Sequence, residues 1–172
     1  MSGKSKKGKG ITRVNRSAAR LAAVQALYEL EMSGATLDDV LLEFVRNRWE
    51  NQPGEEGERL AELDKELFLK IVRGVCSEKS KLAEILDETL SGEWTTERLE
   101  VVLRVILFAG LFELKALLDV PPRVVINEYM EVAKAFFDAG EVSMVNGVLD
   151  KMAHVLREGE MADVAVRNGN EG

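Results

Sequence analysis

The sequence predicts an all-α protein: a compact bundle of about six to seven helices with a basic amino-terminal arm. Three observations predict it. Leu, Ala, Glu and Val abound and only three prolines occur in 172 residues, so helix is favoured over strand. Apolar residues recur at spacings of three and four in one segment after another, and no segment alternates cleanly enough for a strand. Positive charge gathers at one end. Residues 1–28 carry +7 before the first carboxylate, Glu29, and the net charge of −7 leaves −14 for the rest.

The elements follow in order. Residues 1–12 are rich in Lys, Gly and Ser with almost nothing to bury, so they read as a disordered arm. From Arg13 to Met32 a first helix carries Ala19, Ala23, Ala26, Leu27 and Leu30 on one side, and Gly34 stops it. Thr36, with Asp39 three residues on, opens a second helix through "TLDDVLLEFVRNRW". "ENQPGEEGE" is a loop, since Pro and two glycines sit in a polar run. A third helix covers about 58–76, with Leu60, Leu63, Leu67, Phe68, Ile71 and Val75 apolar. A fourth runs from about Glu78 to Leu90, either separate or continuous with it. "SGEWTTE" interrupts. The segment from about Glu97 to Leu117 is apolar on nearly every face, which marks the central helix. "DVPPR" ends it. "RVVINEYMEVAKAFF" and "VSMVNGVLDKMAHVL" give two more helices, separated at Asp138–Gly140. The folded domain spans 13–157, and 158–172 form a flexible tail.

Composition narrows the function. The length suits one domain. With one cysteine and one histidine, no intrachain disulfide forms and a Cys/His zinc site lacks ligands, which points to the cytoplasm. The most apolar stretch is broken by Arg104, Glu113 and Lys115, too soon for the ~18–20 residues of a membrane span. The basic start passes into Glu29 and Glu31 without a cleavage site, so it reads as a mature terminus rather than a leader. No phosphate loop, nucleophile elbow or dinucleotide fingerprint occurs, and neither enzyme chemistry nor a cofactor is expected. Asp150 and His154 share a helical face, but two ligands make no metal site, and a histidine there suits the negative end of the helix dipole. Cys76 reads as a small core residue, and Phe108 and Phe112 as packing groups. Phe136 and Phe137 lie near a helix end, where one buried and one exposed ring would suit stacking; packing is the default.

The arm has a physical logic. Arg13, Arg16 and Arg20 follow a three-then-four spacing that shares one helical side, and this side runs on into Val24 and Leu27. Buried downstream turns would therefore fix where the arginines point. Arginine forks onto phosphate oxygens or stacks on a base, while Lys4, Lys6, Lys7 and Lys9 supply point charges. Tyr28 lies about two turns beyond Arg20, placed equally well to stack on an unpaired base or to close the core. No duplex-reading module is present, so single-stranded RNA is the better fit.

"ARLAAVQALYELE" (19–31), "LEVVLRVILFAGLFEL" (99–114), "VPPRVVINEYMEVAKAF" (120–136) and "VNGVLDKMA" (145–153) occur in the order seen in the NusB transcription antitermination factors, which the chain resembles over about residues 13–157. The resemblance implies an all-helical fold of two small bundles and no catalysis. It implies a partner, NusE, a ribosomal small-subunit protein, with which such factors bind the single-stranded boxA element of nascent ribosomal RNA leaders. Other Nus factors and RNA polymerase then join, and the polymerase becomes resistant to termination. RNA contacts carry over to Arg13, Arg16, Arg20 and Tyr28. Ser17 and Ala18 fall where the family often has more basic residues. Ser143 and Met144 stand where it often has Lys-Phe, which leaves Met144 as a weak candidate contact. The resemblance also places Asn146–Gly147 inside a helix, with Gly147 allowing close helix approach. Self-association into a homodimer is one way to mask an arm awaiting RNA. The alternative reading is a helical RNA-binding accessory domain related to ribosomal RNA cytosine methyltransferases, although no methyl-donor-binding α/β pattern is found in these residues.

Overall fold

Thr12 starts the first helix, α1 (Arg13–Ser33), with a reciprocal cap. Its side chain accepts from the Asn15 amide, and the Asn15 side chain accepts from the Thr12 amide at 2.8 Å. Gly34, at φ 66°, ends the helix in the left-handed conformation that glycine adopts without strain. The computed structural model describes residues 12–46, 63–92 and 94–162. The lysines of the arm and the loop "ENQPGEEGE" lie outside the described residues.

α2 (Leu37–Glu43) is capped by Thr36, whose hydroxyl accepts from the Asp39 amide as its spacing predicts. α3 (Lys65–Thr89) is one helix of 25 residues, so the expected third and fourth segments are continuous. Asp64 caps it, accepting from the Leu67 amide at 3.0 Å. Its buried residues run from Leu67 and Phe68 to Val75 and resume at Leu82 and Leu86; the polar "SEKS" leaves one turn between them unburied while the helix continues. A 3₁₀ turn at Thr96–Arg98 leads into α4 (Val101–Ala116). α5 (Pro122–Lys134) begins on Pro122, which needs no amide partner in a first turn. α6 (Ala139–Leu156) follows after Asp138.

α4 is the axis of the fold. Every residue from Val105 to Leu114 is buried. α1 and α3 pack on one side of it, and α5 and α6 on the other, so the two helical groups share a single core. Phe108 and Phe112 belong to that core, as expected. Close approach is made possible by glycines on two helices. A Cβ on Gly74 of α3 would sit 2.0 Å from the Phe112 ring, and one on Gly110 would sit 2.8 Å from Leu149 of α6.

Three expectations are corrected. Cys76 is exposed, because the buried stripe of α3 runs through Val72 and Val75 and leaves the next position outside. Gly147 does lie within α6, yet it is exposed and a Cβ there would meet nothing within 4 Å, so it mediates no close packing. The chain also remains ordered beyond residue 157. Arg157 is buried and donates to the carbonyls of Leu118 and Val120 at 2.9 and 2.7 Å, and it pairs with Glu160. Residues 158–162 form a helical turn that buries Met161.

Candidate nucleic-acid interface

The exposed beginning of α1 carries Arg13 and Arg16. The capping box fixes the backbone from which both side chains project. Arg16 has no carboxylate partner among the described residues. Arg13 is 84% exposed, and only its Nε meets an acid, Glu128 of α5, at 3.4 Å.

Arg20 does not join them, which corrects its assignment to the RNA-facing arm. It is 2% exposed and makes two parallel 2.9 Å hydrogen bonds to Glu113, the one acid in the apolar run of α4. Burial alone would lower the basicity of this guanidinium, but the hydrogen bonds and charge of Glu113 outweigh it and hold Arg20 above its ordinary pKa. The Tyr129 hydroxyl donates to the same carboxylate. Burial first, and the neighbouring Glu113 charge second, push the Tyr129 pKa well above that of a free phenol. Glu128 completes the cluster, with Oε2 accepting from Ser17 Oγ at 2.6 Å and lying 3.6 Å from Arg20 Nη1. Along α1 the change from solvent to core therefore falls between Arg16 and Arg20, one turn earlier than the shared azimuth implied. A signal was present in the sequence: Glu113, an acid within the apolar run from Val105 to Leu114, calls for a buried polar partner, and a cation is the strongest.

Further along the same helix, Tyr28 is 39% exposed and Met32 60% exposed. They line a groove of about 610 Å³ with Val102 and Phe136. Phe136, just past the end of α5, is 42% exposed, and Phe137 beside it is half-buried. The structure thus exposes one of the two rings, the less favoured of the two expectations, and brings it to Tyr28. Gln25 and Glu29 give the groove a polar wall. At 1.5 Å per residue, Arg13 and Tyr28 stand roughly 22 Å apart along α1. One helix thus presents guanidinium groups at its start and aromatic surface near its end.

Met144 is not brought to this groove. It is half-buried on α6 and lines a separate hollow of about 280 Å³ with Trp94, Leu90 and Lys151. Asp150 and His154 lie on the exposed side of α6, where His154 Nδ1 is 2.8 Å from the Asp150 carbonyl oxygen. Among the described residues, no three metal-ligating side chains come together, and no helix is long and apolar enough to cross a membrane.

Comparison with known proteins bears on this arrangement. The family model described as the NusB family matches residues 17–154. The transcription antitermination protein NusB of Caulobacter vibrioides is 46% identical over 143 residues, covering 83% of this chain and 95% of that protein. Its counterpart in Nitrobacter hamburgensis is 44% identical, covering 86% of this chain and 91% of that protein. Among solved structures, T. maritima NusB superposes with a TM-score of 0.65 at 27% identity, covering 80% of this chain and 89% of that one. A chain from a crystal structure of the antitermination factors NusB and NusE with double-stranded RNA reaches 0.67 at 23% identity, covering 84% and 99%, and shows the shared fold. Equivalent helices therefore recur in the same order and packing, and with the match over nearly the whole folded region the chain belongs to the NusB family.

Proposed function

We propose that this chain is an RNA-binding transcription antitermination factor. With NusE it binds the boxA element of nascent ribosomal RNA leaders and helps to make RNA polymerase resistant to termination, in concert with other Nus factors and in the cytoplasm. The observation that carries the reading is the layout of α1: exposed Arg13 and Arg16 at one end, and the Tyr28–Phe136 groove near the other. Guanidinium groups neutralise phosphates, and exposed rings offer faces on which unpaired bases stack. An RNA strand following α1 would meet charge first and aromatic surface afterwards. The rings favour a single strand, because bases stacked within a duplex cannot reach them. Lys4, Lys6, Lys7 and Lys9 would extend the charged stretch towards the amino terminus. Met144 stays a peripheral candidate, since it lies apart from the groove. The non-catalytic reading goes with membership of a family whose relatives are named as antitermination proteins.

The test is binding of a labelled single-stranded boxA oligoribonucleotide across a salt series, with and without NusE. Each phosphate neutralised on a single strand contributes about −0.7 to the log–log salt slope. Replacing both Arg13 and Arg16 by Ala is expected to flatten that slope by more than about 0.7 and by up to about 1.4, the upper value applying if each neutralises a whole phosphate. Phe136→Ala is expected to weaken binding with the slope unchanged. An unaltered slope in the arginine variant would remove α1 from the interface.

A further inference from the structure

Glu128 is buried, yet it touches an exposed cation of α1, Arg13. One oxygen meets Arg13 Nε at 3.4 Å, and the other is held by Ser17 at 2.6 Å and faces Arg20 at 3.6 Å. The charges of the cluster do not cancel without Arg13. Glu113 already neutralises Arg20 through two hydrogen bonds, so Glu128 is the surplus negative charge. Arg13 is the cation left to balance it, and it does so from the solvent side. A carboxylate and a phosphodiester compete for the same N–H donors of a guanidinium.

We propose that Glu128 is a resident competitor for the Arg13 guanidinium and thereby sets how strongly the first turn of α1 takes an RNA phosphate. The inference rests on the reading of Arg13 as a phosphate contact. It makes the two exposed arginines unequal. Arg16, one turn on, offers its whole charge, whereas Arg13 is partly neutralised before any strand arrives. A single phosphate gains little from Arg13, and the full contact is drawn only by a strand whose other phosphates are already engaged. Glu128 is thus a positioning residue: it meets the ligand only through Arg13.

The experiment is a double-mutant cycle read by binding of the same single-stranded boxA oligoribonucleotide. Glu128→Gln keeps the side-chain shape and an acceptor for Ser17, and Arg20 keeps Glu113. It is expected to tighten binding about two- to fivefold, the equivalent of releasing an exposed ion pair. The salt slope should steepen by up to about 0.7. In an Arg13→Ala background the same substitution should change neither quantity. No tightening in the Arg13 background, or equal tightening in both backgrounds, would overturn the proposal; the second result would mark a general charge effect. Thermal melting checks that each variant folds. Should Glu128→Gln not fold, Glu128→Asp draws the carboxylate back by one methylene from Arg13 and Arg20 alike. A smaller tightening is then expected, again lost in the Arg13→Ala background, and no tightening or equal tightening in both backgrounds overturns the proposal. If Arg13→Ala and Arg16→Ala leave RNA binding unchanged, the functional reading fails. If they weaken binding but Arg13 and Glu128 do not couple, only this inference fails.

Discussion

At the scale of single residues, Arg20 shows how neighbours on one helix acquire different tasks. Arg16 keeps its hydration, and Arg20 exchanges it for a forked pair with Glu113 inside the core. Desolvating two charges is costly, and the gain is recovered only while both partners are present. Arg20→Met is therefore expected to destabilise the fold by about 3–5 kcal/mol, because Glu113 is left charged and unpaired. Adding Glu113→Leu should recover much of that loss. Urea denaturation of the single and double variants checks both statements. Equal stability of Arg20→Met and the parent would mean that the pair contributes nothing. The spacing of three arginines was legible in the sequence, but their division was not. Their common azimuth says which residues share a side; it does not say how far along the helix the body extends.

At the scale of elements, glycines report where helices meet. Gly74 and Gly147 are both helical, and from sequence Gly147 is the one expected at a close contact. The structure reverses this. Phe112 covers Gly74, while Gly147 faces open space. Gly147→Ala should raise stability by about 0.5–1 kcal/mol, through the backbone entropy of the unfolded chain and better helix propensity. Gly74→Ala should lower it by about 1–3 kcal/mol, since the Phe112 ring must move out of a packed core. Thermal melts of the two variants, which differ from the parent by one methyl group each, should shift in opposite directions. Helix boundaries were readable at Thr36 with Asp39 and at Gly34, but not at Asp64, whose cap starts at Lys65 the helix expected from about residue 58. The unity of α3 was less readable. "SEKS" does interrupt the buried stripe between Val75 and Leu82, but the backbone stays helical through that turn, where Glu78 pairs with Lys115 of α4 at 2.8 Å.

At the scale of the whole molecule, charge is segregated along the chain: +7 in residues 1–28 against −14 beyond. An acidic body repels a polyanion except where the basic start of α1 meets it, which favours a defined approach over general coating. Changing Lys4, Lys6, Lys7 and Lys9 together to Gln should flatten the salt slope of RNA binding by up to about 2.8. The same change should leave the melting temperature unaltered, as these lysines precede the capped start of α1. A lowered melting temperature would instead tie them to the body.

The sequence by itself determined the all-helical class, most of the helices, the apolar identity of α4 and the basic start of the chain. Each of these depends on side-chain spacing and on interactions among residues a few positions apart. Only the tertiary structure decided that Arg20 is interior, that Phe136 stands beside Tyr28, and that Glu128 reaches Arg13. The partners in these contacts lie 93 to 115 residues apart along the chain in the pairs Arg20–Glu113 and Arg13–Glu128. No local periodicity encodes such a meeting. It is fixed when α1 and α5 are both drawn onto α4, and the burial of apolar surface then settles which polar groups must find each other.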